Sequence, residues 1–465
     1  MPGTYDPRTF KQLTFHDAVA SFREGADTPR DYLERCLATI DEREPVVQAF
    51  ANLNRETARA AADASTKRYK DGDPLSSIDG MPIGIKDLLE TREMPTEMNC
   101  EALKGNFPKR DNAAVWALRQ AGAVIFGKTV TAELGGAHPG PTTNPFDQAR
   151  TPGGSSSGSA AAVAAHMMPA AIGSQVGGSI IRPSGFCGNV SLKPTQGAIN
   201  RGERMATSMS THGVHAGCIE DMWQASIEIA RRAGGDRGCM ALSGPLAAPL
   251  PIKPQRLIVL ETEGWGALDE KSKQAFAAFR EQLVAAGIEL LDRRNDPEVE
   301  LIEQAISEAT AICADITGWE NRWYQRNIVE EKGGGLSARA MATLEKAEAL
   351  TPADYQARLL ERTKAQAVHG QVARKADAMI SLSCPGPAPI WAGDKPGEPR
   401  AARPTGNAVF NYPSSMLFAP VVNVPILAVD GLPVGVQLIG QKHEDARMTS
   451  LARWMLKTLE PVAIA

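Results

Sequence analysis

The sequence predicts an α/β fold, because stretches typical of helices and of buried strands alternate along most of its 465 residues. Hydrophobic residues make up 43% of the chain and charged residues 22%, a composition that supports a large buried core. Neither an internal repeat nor a clear linker interrupts the pattern. We therefore expect a single domain over residues 1–465.

The predicted elements begin with a helical lead-in over residues 1–70, where Thr28 and Pro29 provide an N-cap and a first-turn proline. Residues 75–220 form the predicted core segment. Beyond it the alternation continues. Between residues 75 and 297 the predicted strands are 81–89, 123–129, 256–261 and 289–292. The predicted helices of the same stretch are 113–121, 219–232 and 270–286.

A helical insertion or cap is predicted over residues 298–376, because one helical pattern follows another there, with breaks at 333–335 and 351–352. This segment holds the local aromatic cluster of Trp319, Trp323 and Tyr324, which would line an aryl-accepting pocket or simply pack in the core. Residues 377–465 are expected to return to the core sheet. They contain a predicted strand at 377–383, a proline-rich loop at 385–404, two strands within 421–439 and a last helix at 445–459.

Charge and cysteine usage exclude several classes of partner. The net charge of −4 gives no broad electrostatic reason to expect a nucleic-acid or anionic-membrane partner. Seven scattered cysteines without a C-x-x-C pair argue against a disulfide framework, and with no H-E-x-x-H motif we expect no metal site. The N-terminus does not resemble a signal peptide, and the apolar stretch 160–173 is too short to span a bilayer. We therefore expect a cytoplasmic protein.

Two segments rich in glycine and serine carry the chemical signal, TPGGSSSGSAAAVAA at 151–165 and GSQVGGSIIRPSGFCG at 173–188. A phosphate-binding loop is one interpretation, but neither G-x-x-x-x-G-K-[ST] nor G-x-G-x-x-G after a strand is present. A structural turn followed by an alanine-rich helix is another. Neither interpretation explains two serine clusters framed by glycines.

These segments resemble the amidase signature family. GGSSSGS at 153–159 is similar to its first serine element, GGS at 177–179 to its second, and GMPIGIKD at 80–87 to its catalytic lysine strand. Dense similarity covers about residues 75–220 and 420–440. The fold that the resemblance implies is a central mixed β-sheet covered by helices on both faces.

The resemblance also implies the site residues. Ser179 would be the nucleophile, Ser155 the bridging serine in a cis peptide bond, and Lys86 the terminal base. Val176, Gly177 and Gly178 would form an oxyanion hole. A serine hydroxyl needs a positioned base to lose its proton during attack, and lysine serves only when burial lowers its pKa and keeps it neutral. This chemistry requires no cofactor, and family habit implies a homodimer.

Two positions depart from the family signature. Gln175 stands where an acidic residue is usual and Ile181 where an arginine is usual, and an arginine follows one residue later as Arg182. We hypothesise that a structural ion pair has been replaced and that Arg182 faces the pocket. This variant is most similar to the malonamidase branch, in which the corresponding arginine holds a substrate carboxylate. The alternative is that Arg182 pairs with a local carboxylate.

The function that the resemblance implies is hydrolysis of a C–N amide bond of a small molecule through a covalent acyl-enzyme. Hydrolysis of a carbamate, an aryl amide or a carboxylated urea on the same scaffold is the first alternative. A glutamine-using component of a tRNA-dependent amidotransferase is ranked lower, because of the changes at Gln175 and Arg182. A catalytically inactive binding scaffold is disfavoured by intact Lys86, Ser155 and Ser179.

Overall fold

The computed structural model describes residues 4–136, 138–203, 207–395 and 398–465. Within these ranges the strands are β1 (Phe50–Leu53), β2 (Pro82–Lys86), β3 (Val124–Thr129), β4 (Ala170–Gln175), β5 (Val190–Lys193), β6 (Thr211–Ala216), β7 (Arg256–Val259), β8 (Glu289–Leu291), β9 (Ala378–Leu382), β10 (Val421–Val429), β11 (Leu432–Ile439) and β12 (Val462–Ile464).

The helices described in the same ranges are α1 (Val19–Glu24), α2 (Pro29–Val47), α3 (Arg55–Asp71), α4 (Ala113–Gln120), α5 (Ser157–Ala164), α6 (Ile181–Cys187), α7 (Ile219–Ala233), α8 (Glu270–Ala285), α9 (Pro297–Ala305), α10 (Ala309–Lys332), α11 (Ala338–Glu348), α12 (Pro352–Val372), α13 (Tyr412–Met416) and α14 (Asp445–Thr458).

All twelve of these strands belong to one mixed sheet. Eleven follow the order β1-β3-β2-β4-β6-β5-β10-β11-β9-β7-β8, and β12 pairs with β10. Strand β2 runs parallel to both of its neighbours, β3 and β4, whereas β4 and β6 are antiparallel. The α/β fold with a mixed sheet is confirmed.

Helices cover both faces of the sheet, as the alternation of residues along β3 illustrates. Phe126 belongs to a buried cluster with residues of α2, α3 and α5, such as Leu37 and Ala58. The adjacent Ile125 belongs to a different cluster, together with residues of α4 and α7 such as Leu118. Because successive side chains of a strand point to opposite faces, the two clusters lie on opposite sides of the sheet.

The prediction of helix throughout 1–70 is wrong at Phe50–Leu53, which form the edge strand β1 antiparallel to β3. Only four residues make this strand, so its alternation is too short to distinguish from the flanking helical pattern. The strand predicted at 81–89 ends earlier, at Lys86, because the amide N–H groups of Leu88 and Leu89 both turn back to the Lys86 carbonyl.

The later predictions agree more closely with the structure. Four α-helices, α9 to α12, occupy the predicted insertion, and the breaks between α10 and α11 and between α11 and α12 fall at the predicted turns. Strands β10 and β11 are the two strands predicted within 421–439, and they form an antiparallel hairpin with Asp430 and Gly431 between them. Thr351 caps the start of α12 with a capping box, in which its side chain and that of Asp354 bond to each other's main-chain N–H groups.

Helix α5 packs against main chain, which leaves no room for a side chain at Gly158. A Cβ atom there would lie 2.1 Å from the Ala49 carbonyl oxygen and 2.5 Å from the Val130 nitrogen. These two atoms are themselves hydrogen-bonded, with the Val130 N–H donating to Ala49. The glycine therefore allows α5 to approach the main chain of Ala49 and Val130 this closely.

We expect Gly158→Ala to lower the free energy of unfolding by about 1–3 kcal/mol or more, because main-chain atoms must shift to admit the methyl group. Gly370→Ala is the matched control, since Gly370 lies exposed inside α12 with nothing within 4 Å of a new Cβ atom. That change should be neutral or stabilising by up to about 1 kcal/mol. Thermal unfolding midpoints measure both effects, and equal midpoints for the two variants would contradict the close packing of α5.

Candidate active site

The candidate site lies at one edge of the sheet, where the parallel strands β2 and β4 end. All five residues of β2 are buried, and Ile83 and Ile85 contribute to the main core cluster. Ile85 pairs in register with Lys128 of β3 and Ile172 of β4. Carboxyl ends of parallel strands meet at the same edge of a sheet and commonly form sites there. This register brings Lys86 beside the end of β4.

Lys86 is fully buried among neutral oxygen atoms. Its Nζ is 2.7 Å from Ser155 Oγ and 3.0 Å from Ser174 Oγ, and it donates to the Ser174 carbonyl at 3.2 Å. Within the described residues Lys86 forms no ion pair. Burial, and secondly the positive charge of Arg182, hold the pKa of Lys86 well below its ordinary value. The site therefore favours the neutral amine, which is able to accept a proton.

The residue after Lys86 is anchored by a buried ion pair. Asp87 Oδ1 lies 2.8 Å from Lys128 Nζ, and its other oxygen accepts from the main-chain N–H groups of Glu97 and Met98. Lys128 also donates to Thr96 Oγ1 at 2.7 Å. Breaking such a buried pair by removing one partner leaves an uncompensated charge, so these contacts fix the end of β2 and the position of Lys86.

Ser155 and Ser179 lie on neighbouring loops. The Gly154–Ser155 peptide bond is cis, as the family resemblance implies. The main-chain N–H of Ser156 donates to the Ser179 carbonyl at 3.3 Å, which ties the two loops together. Both serines line the same cavity, of about 430 Å³. Within the described part of the chain, the Ser179 hydroxyl makes no hydrogen bond. The structure thus brings Lys86, Ser155 and Ser179 to one site.

Gln175 holds the loop that leads to Ser179. Its Oε1 accepts from the main-chain N–H groups of Ile180 and Ile181 at 2.8 and 3.0 Å, and its Nε2 donates to Ser415 Oγ at 3.1 Å. Ser415 Oγ in turn donates to the Gly177 carbonyl at 2.7 Å. An uncharged amide therefore organises this loop through main-chain contacts.

The glycines of this loop are required by close approach of other residues. A Cβ atom at Gly177 would lie 2.6 Å from the Tyr412 ring, and one at Gly178 would lie 2.5 Å from Asn411 Oδ1. The main-chain N–H groups of Val176, Gly177 and Gly178 donate to no acceptor among the residues that the structure describes. They are therefore available to a bound oxygen atom.

Arg182 faces the cavity with only 7% of its surface exposed. Its Nη2 donates to the Gly154 carbonyl at 2.5 Å and to Thr405 Oγ1 at 3.1 Å, whereas its Nε has no hydrogen-bond partner in the described ranges. No carboxylate of the described residues pairs with Arg182. Burial lowers the pKa of Arg182 to about 10, so the group remains a cation at neutral pH.

The cavity around these residues is cationic. Arg182, Arg339 and Arg403 line it, and Glu133 is the one acidic lining residue described. The Glu133 carboxylate is engaged by Ser337, whose main-chain N–H donates to it at 2.9 Å. Helix α10 of the predicted insertion forms one wall, so this segment is part of the site.

A second cavity, of about 1090 Å³, adjoins the first. Of the aromatic cluster predicted in the insertion, Tyr324 lines this second cavity. Trp319 instead stacks on Tyr355, and Trp323 is 69% exposed. The cluster therefore does not line one aryl pocket as a unit, because Tyr324 is the one member of the three that lines either of these two cavities.

Sequence reasoning missed several residues of this site. Ser174 lies inside the second glycine-rich segment, and its position directly before the unusual Gln175 was an available signal. Thr405 contacts Arg182 across a separation of 223 residues, and no local sequence pattern indicates such a contact.

In the described part of the chain, no group of three or more His, Cys, Asp or Glu residues could hold a metal ion. Among the helices of the same residues, none combines the length and the apolar character that a membrane span needs.

Comparisons with known sequences identify the family. A family model described as Amidase matches residues 31–448. A glutamyl-tRNA(Gln) amidotransferase subunit of Chloroflexus aggregans is 32% identical to this chain over 94% of each protein. The corresponding protein of a Synechococcus species is also 32% identical, over 94% of this chain and 96% of the relative.

Solved structures agree with this result. The crystal structure of an amidase superimposes with a TM-score of 0.82 at 26% identity, covering 95% of this chain and 99% of the other. The equivalent glutamyl-tRNA(Gln) amidotransferase subunit of Thermotoga maritima gives a TM-score of 0.75 at 23% identity, over 98% of this chain and 96% of that one. A bacterial aryl acylamidase of the amidase signature family shares the fold, with a TM-score of 0.82, 18% identity and 97% coverage of each chain.

The resemblance on which the sequence analysis relied is therefore confirmed, and so is the mixed-sheet fold that it implied. The match extends through the helical insertion and the C-terminal strands, well beyond the two stretches of dense motif similarity. This chain belongs to the amidase signature family.

Proposed function

We propose that this protein hydrolyses the C–N amide bond of a small molecule that carries a carboxylate, with Ser179 as nucleophile, Ser155 as proton relay and Lys86 as base. One observation carries the proposal. A buried lysine without an ionic partner among the described residues lies 2.7 Å from Ser155 Oγ, and Ser155 and Ser179 line the same cavity. Burying a lysine without a carboxylate partner costs free energy of folding, so structural stability does not explain this arrangement. The same burial keeps the amine neutral, which a general base requires.

The first chemical step is attack of Ser179 Oγ on the amide carbonyl carbon. The proton of Ser179 moves to Ser155 Oγ, and the Ser155 proton moves to Lys86 Nζ. Ser174 supports this relay from the other side, since its hydroxyl and carbonyl both bind Nζ. These contacts orient the lone pair of the neutral amine toward Ser155.

The negative charge that develops on the carbonyl oxygen needs hydrogen-bond donors. The main-chain N–H groups of Val176, Gly177 and Gly178 are candidates, because none of them has an acceptor within the described residues. Gln175 pre-organises this loop by binding the two main-chain N–H groups that follow Ser179. Loss of one such donor typically costs about 3 kcal/mol of transition-state stabilisation.

The C–N bond then breaks, and the leaving nitrogen takes the proton held by Lys86 and Ser155. Water attacks the acyl-enzyme, and the same residues remove its proton and return one to Ser179 Oγ. The products are a carboxylic acid and an amine. Neither half of the reaction requires a metal or an organic cofactor.

Arg182 supports the assignment of a carboxylate-bearing substrate. Its buried guanidinium has an unpartnered Nε and no carboxylate partner among the described residues. A buried cation in this state is stabilised by a bound anion, and the guanidinium suits a carboxylate because it can donate two parallel hydrogen bonds. The same triad would attack a carbamate, an aryl amide or a carboxylated urea, since each presents an equivalent acyl carbon.

A second candidate is a glutamine-using component of a tRNA-dependent amidotransferase. The observation that favours it is the 32% identity to glutamyl-tRNA(Gln) amidotransferase subunits over 94% of the chain. In that case the acyl-enzyme would carry a glutamyl group, and the released ammonia would serve a partner protein. The acyl group therefore distinguishes the two candidates.

Trapping the acyl-enzyme tests the proposal directly. We expect the intact mass to rise by the acyl half of a dicarboxylic monoamide, with the added mass on Ser179. Ser179→Ala and Lys86→Ala should each lower kcat by about 10⁴-fold or more, because the triad acts as a unit. A glutamyl adduct formed from glutamine would favour the amidotransferase candidate instead.

Ser157→Ala is the matched control for the serine substitutions. Ser157 belongs to the same serine cluster, but its hydroxyl donates to the Val130 carbonyl at 3.2 Å and the residue does not line the catalytic cavity. Its variant should retain turnover. If Ser179→Ala were as active as Ser157→Ala, the nucleophile assignment would be wrong.

Arg182→Ala should discriminate between substrates. Charge-assisted hydrogen bonds contribute about 1.5–3 kcal/mol, so we expect kcat/KM to fall about 10- to 150-fold more for a dicarboxylic monoamide than for a neutral amide of the same length. Both substrates are measured at alkaline pH, where Lys86 is neutral in the wild-type protein and in Arg182→Ala, so that a change in the pKa of Lys86 does not affect the comparison. Equal losses on the two substrates would refute the carboxylate assignment.

The pH profile provides an independent check on Lys86. Activity should fall as the pH drops through the pKa of Lys86, because the protonated amine cannot accept a proton. The positive charge of Arg182 lowers the pKa of Lys86, so Arg182→Ala should move this acid limb of kcat/KM to higher pH. Arg182→Lys keeps a positive charge and should move the limb less. An acid limb that stays in place, or moves to lower pH, in Arg182→Ala would contradict the electrostatic coupling.

A further inference from the structure

The two cavities adjoin each other, and together they are called the cleft. The catalytic cavity of about 430 Å³ and the second cavity of about 1090 Å³ share a set of lining residues, namely Leu88, Leu134, Ser174, Ser210, Asn321 and Gln325. Ser174 also holds Lys86 Nζ. A molecule bound at Ser179 can therefore extend past Ser174, and the available space is far larger than a short dicarboxylic monoamide needs.

His212 lines the second cavity beside Ser174, a residue that both cavities share. It is the register partner of Ser174 in the antiparallel pair of β6 and β4. Directly opposed residues of neighbouring strands present their side chains on the same face of a sheet. His212 is therefore adjacent to the residue that binds the proposed base, and it lines the second cavity.

The His212 ring is buried without a hydrogen-bond partner among the described residues. Only 8% of the residue is exposed, and neither Nδ1 nor Nε2 forms a hydrogen bond within those ranges. The main chain of Arg201 lies near the ring and raises the pKa of His212 slightly, but the contact does not meet the geometry of a hydrogen bond. Burial, and then the charges of Arg201 and Lys86, lower the pKa of His212 to about 3. The ring is thus neutral and presents one donor and one acceptor.

The rest of the second cavity offers apolar surface and charged groups, of which all but the exposed Lys109 have an ion-pair partner among the described residues. Its apolar lining includes Leu88, Met98, Trp116, Leu134 and Tyr324. Among the charged lining residues, Arg110 pairs with Glu90 at 2.6 Å and Arg201 with Asp236 at 2.6 Å, while Arg232 pairs with Glu228. Such a cavity suits an uncharged group that has a large apolar surface and one hydrogen-bonding function.

We propose that the second cavity receives the amine half of the substrate and that His212 is a specificity-determining residue that hydrogen-bonds to it. This inference rests on the proposed function. The leaving nitrogen must face the Lys86–Ser155 relay that protonates it, and the cleft continues from this relay past Ser174. The preferred substrates are then N-substituted amides, whose amine half is uncharged, bulky and apolar and carries a hydroxyl or amide group.

The test compares a dicarboxylic monoamide with its N-phenyl and N-(4-hydroxyphenyl) derivatives. We expect kcat/KM to be highest for the hydroxyphenyl compound. In His212→Leu the ratio of kcat/KM for the hydroxyphenyl compound to that for the unsubstituted amide should fall about tenfold, the effect of one lost hydrogen bond. The corresponding ratio for the N-phenyl compound should change less, because that ring brings no hydroxyl to His212.

Ala113→Trp supplies a second variant that does not depend on His212. Ala113 lines the second cavity but not the catalytic one, so a larger side chain there should lower the same ratio by filling space. Trp323→Ala is the control, because Trp323 is exposed and lines neither cavity. A ratio that stays unchanged in both His212→Leu and Ala113→Trp would overturn the inference.

Binding of 4-aminophenol, the amine product, gives a readout that needs no turnover. Calorimetry should detect binding to the wild-type protein and a dissociation constant about tenfold weaker for His212→Leu. Absence of 4-aminophenol binding would overturn the inference even if the unsubstituted amide is hydrolysed. Binding of 4-aminophenol without hydrolysis of any of the three amides would support the cavity assignment and overturn the proposed function instead.

Discussion

The arrangement of the site depends on one constraint, the burial of the Lys86 amine among neutral oxygen atoms. A lysine in this position is stable only if its few hydrogen bonds are satisfied, and Ser155, on a loop, and Ser174, at the end of β4, satisfy them. The neighbouring Asp87–Lys128 pair fixes the backbone from which Lys86 extends. The cation that contributes to lowering the pKa of Lys86 is Arg182, which the same site places beside Gly154.

The glycine-rich segments allow the close packing that this arrangement requires. Gly158 lets α5 approach main chain, while Gly177 and Gly178 make room for Tyr412 and Asn411. Glycine at these positions thus lets α5 and the loop that leads to Ser179 pack closely against their neighbours. Gln175 holds this loop through two main-chain N–H groups, a role that an uncharged amide fills without adding a negative charge near Lys86. A glutamine here, in place of the acidic residue that is usual in the family signature, is therefore physically consistent with the lowered pKa of Lys86.

The cleft combines three different environments. A cationic end contains Arg182, the centre contains Lys86 and the two serines, and the far end contains apolar side chains around His212. Their order follows from the sheet, because β2 supplies Lys86, β4 supplies Ser174, and β6 places His212 opposite Ser174. Helix α10, from the insertion, covers both cavities and supplies Asn321 and Gln325 to each.

The sequence by itself predicted the fold class and the family correctly, because these depend on local patterns and on motifs. The same motifs supplied Lys86, Ser155 and Ser179, the three residues of the proposed triad. It also indicated the helical insertion, since capping residues and glycine breaks are local signals. Strands such as β1, β4 and β12 were not predicted, because they are short or rich in alanine and glycine and gain stability only from their neighbours in the sheet. Tertiary structure alone decided that Arg182 contacts Thr405 and that His212 faces Ser174. Contacts across long stretches of chain arise from strand register and loop packing, which no local sequence pattern encodes.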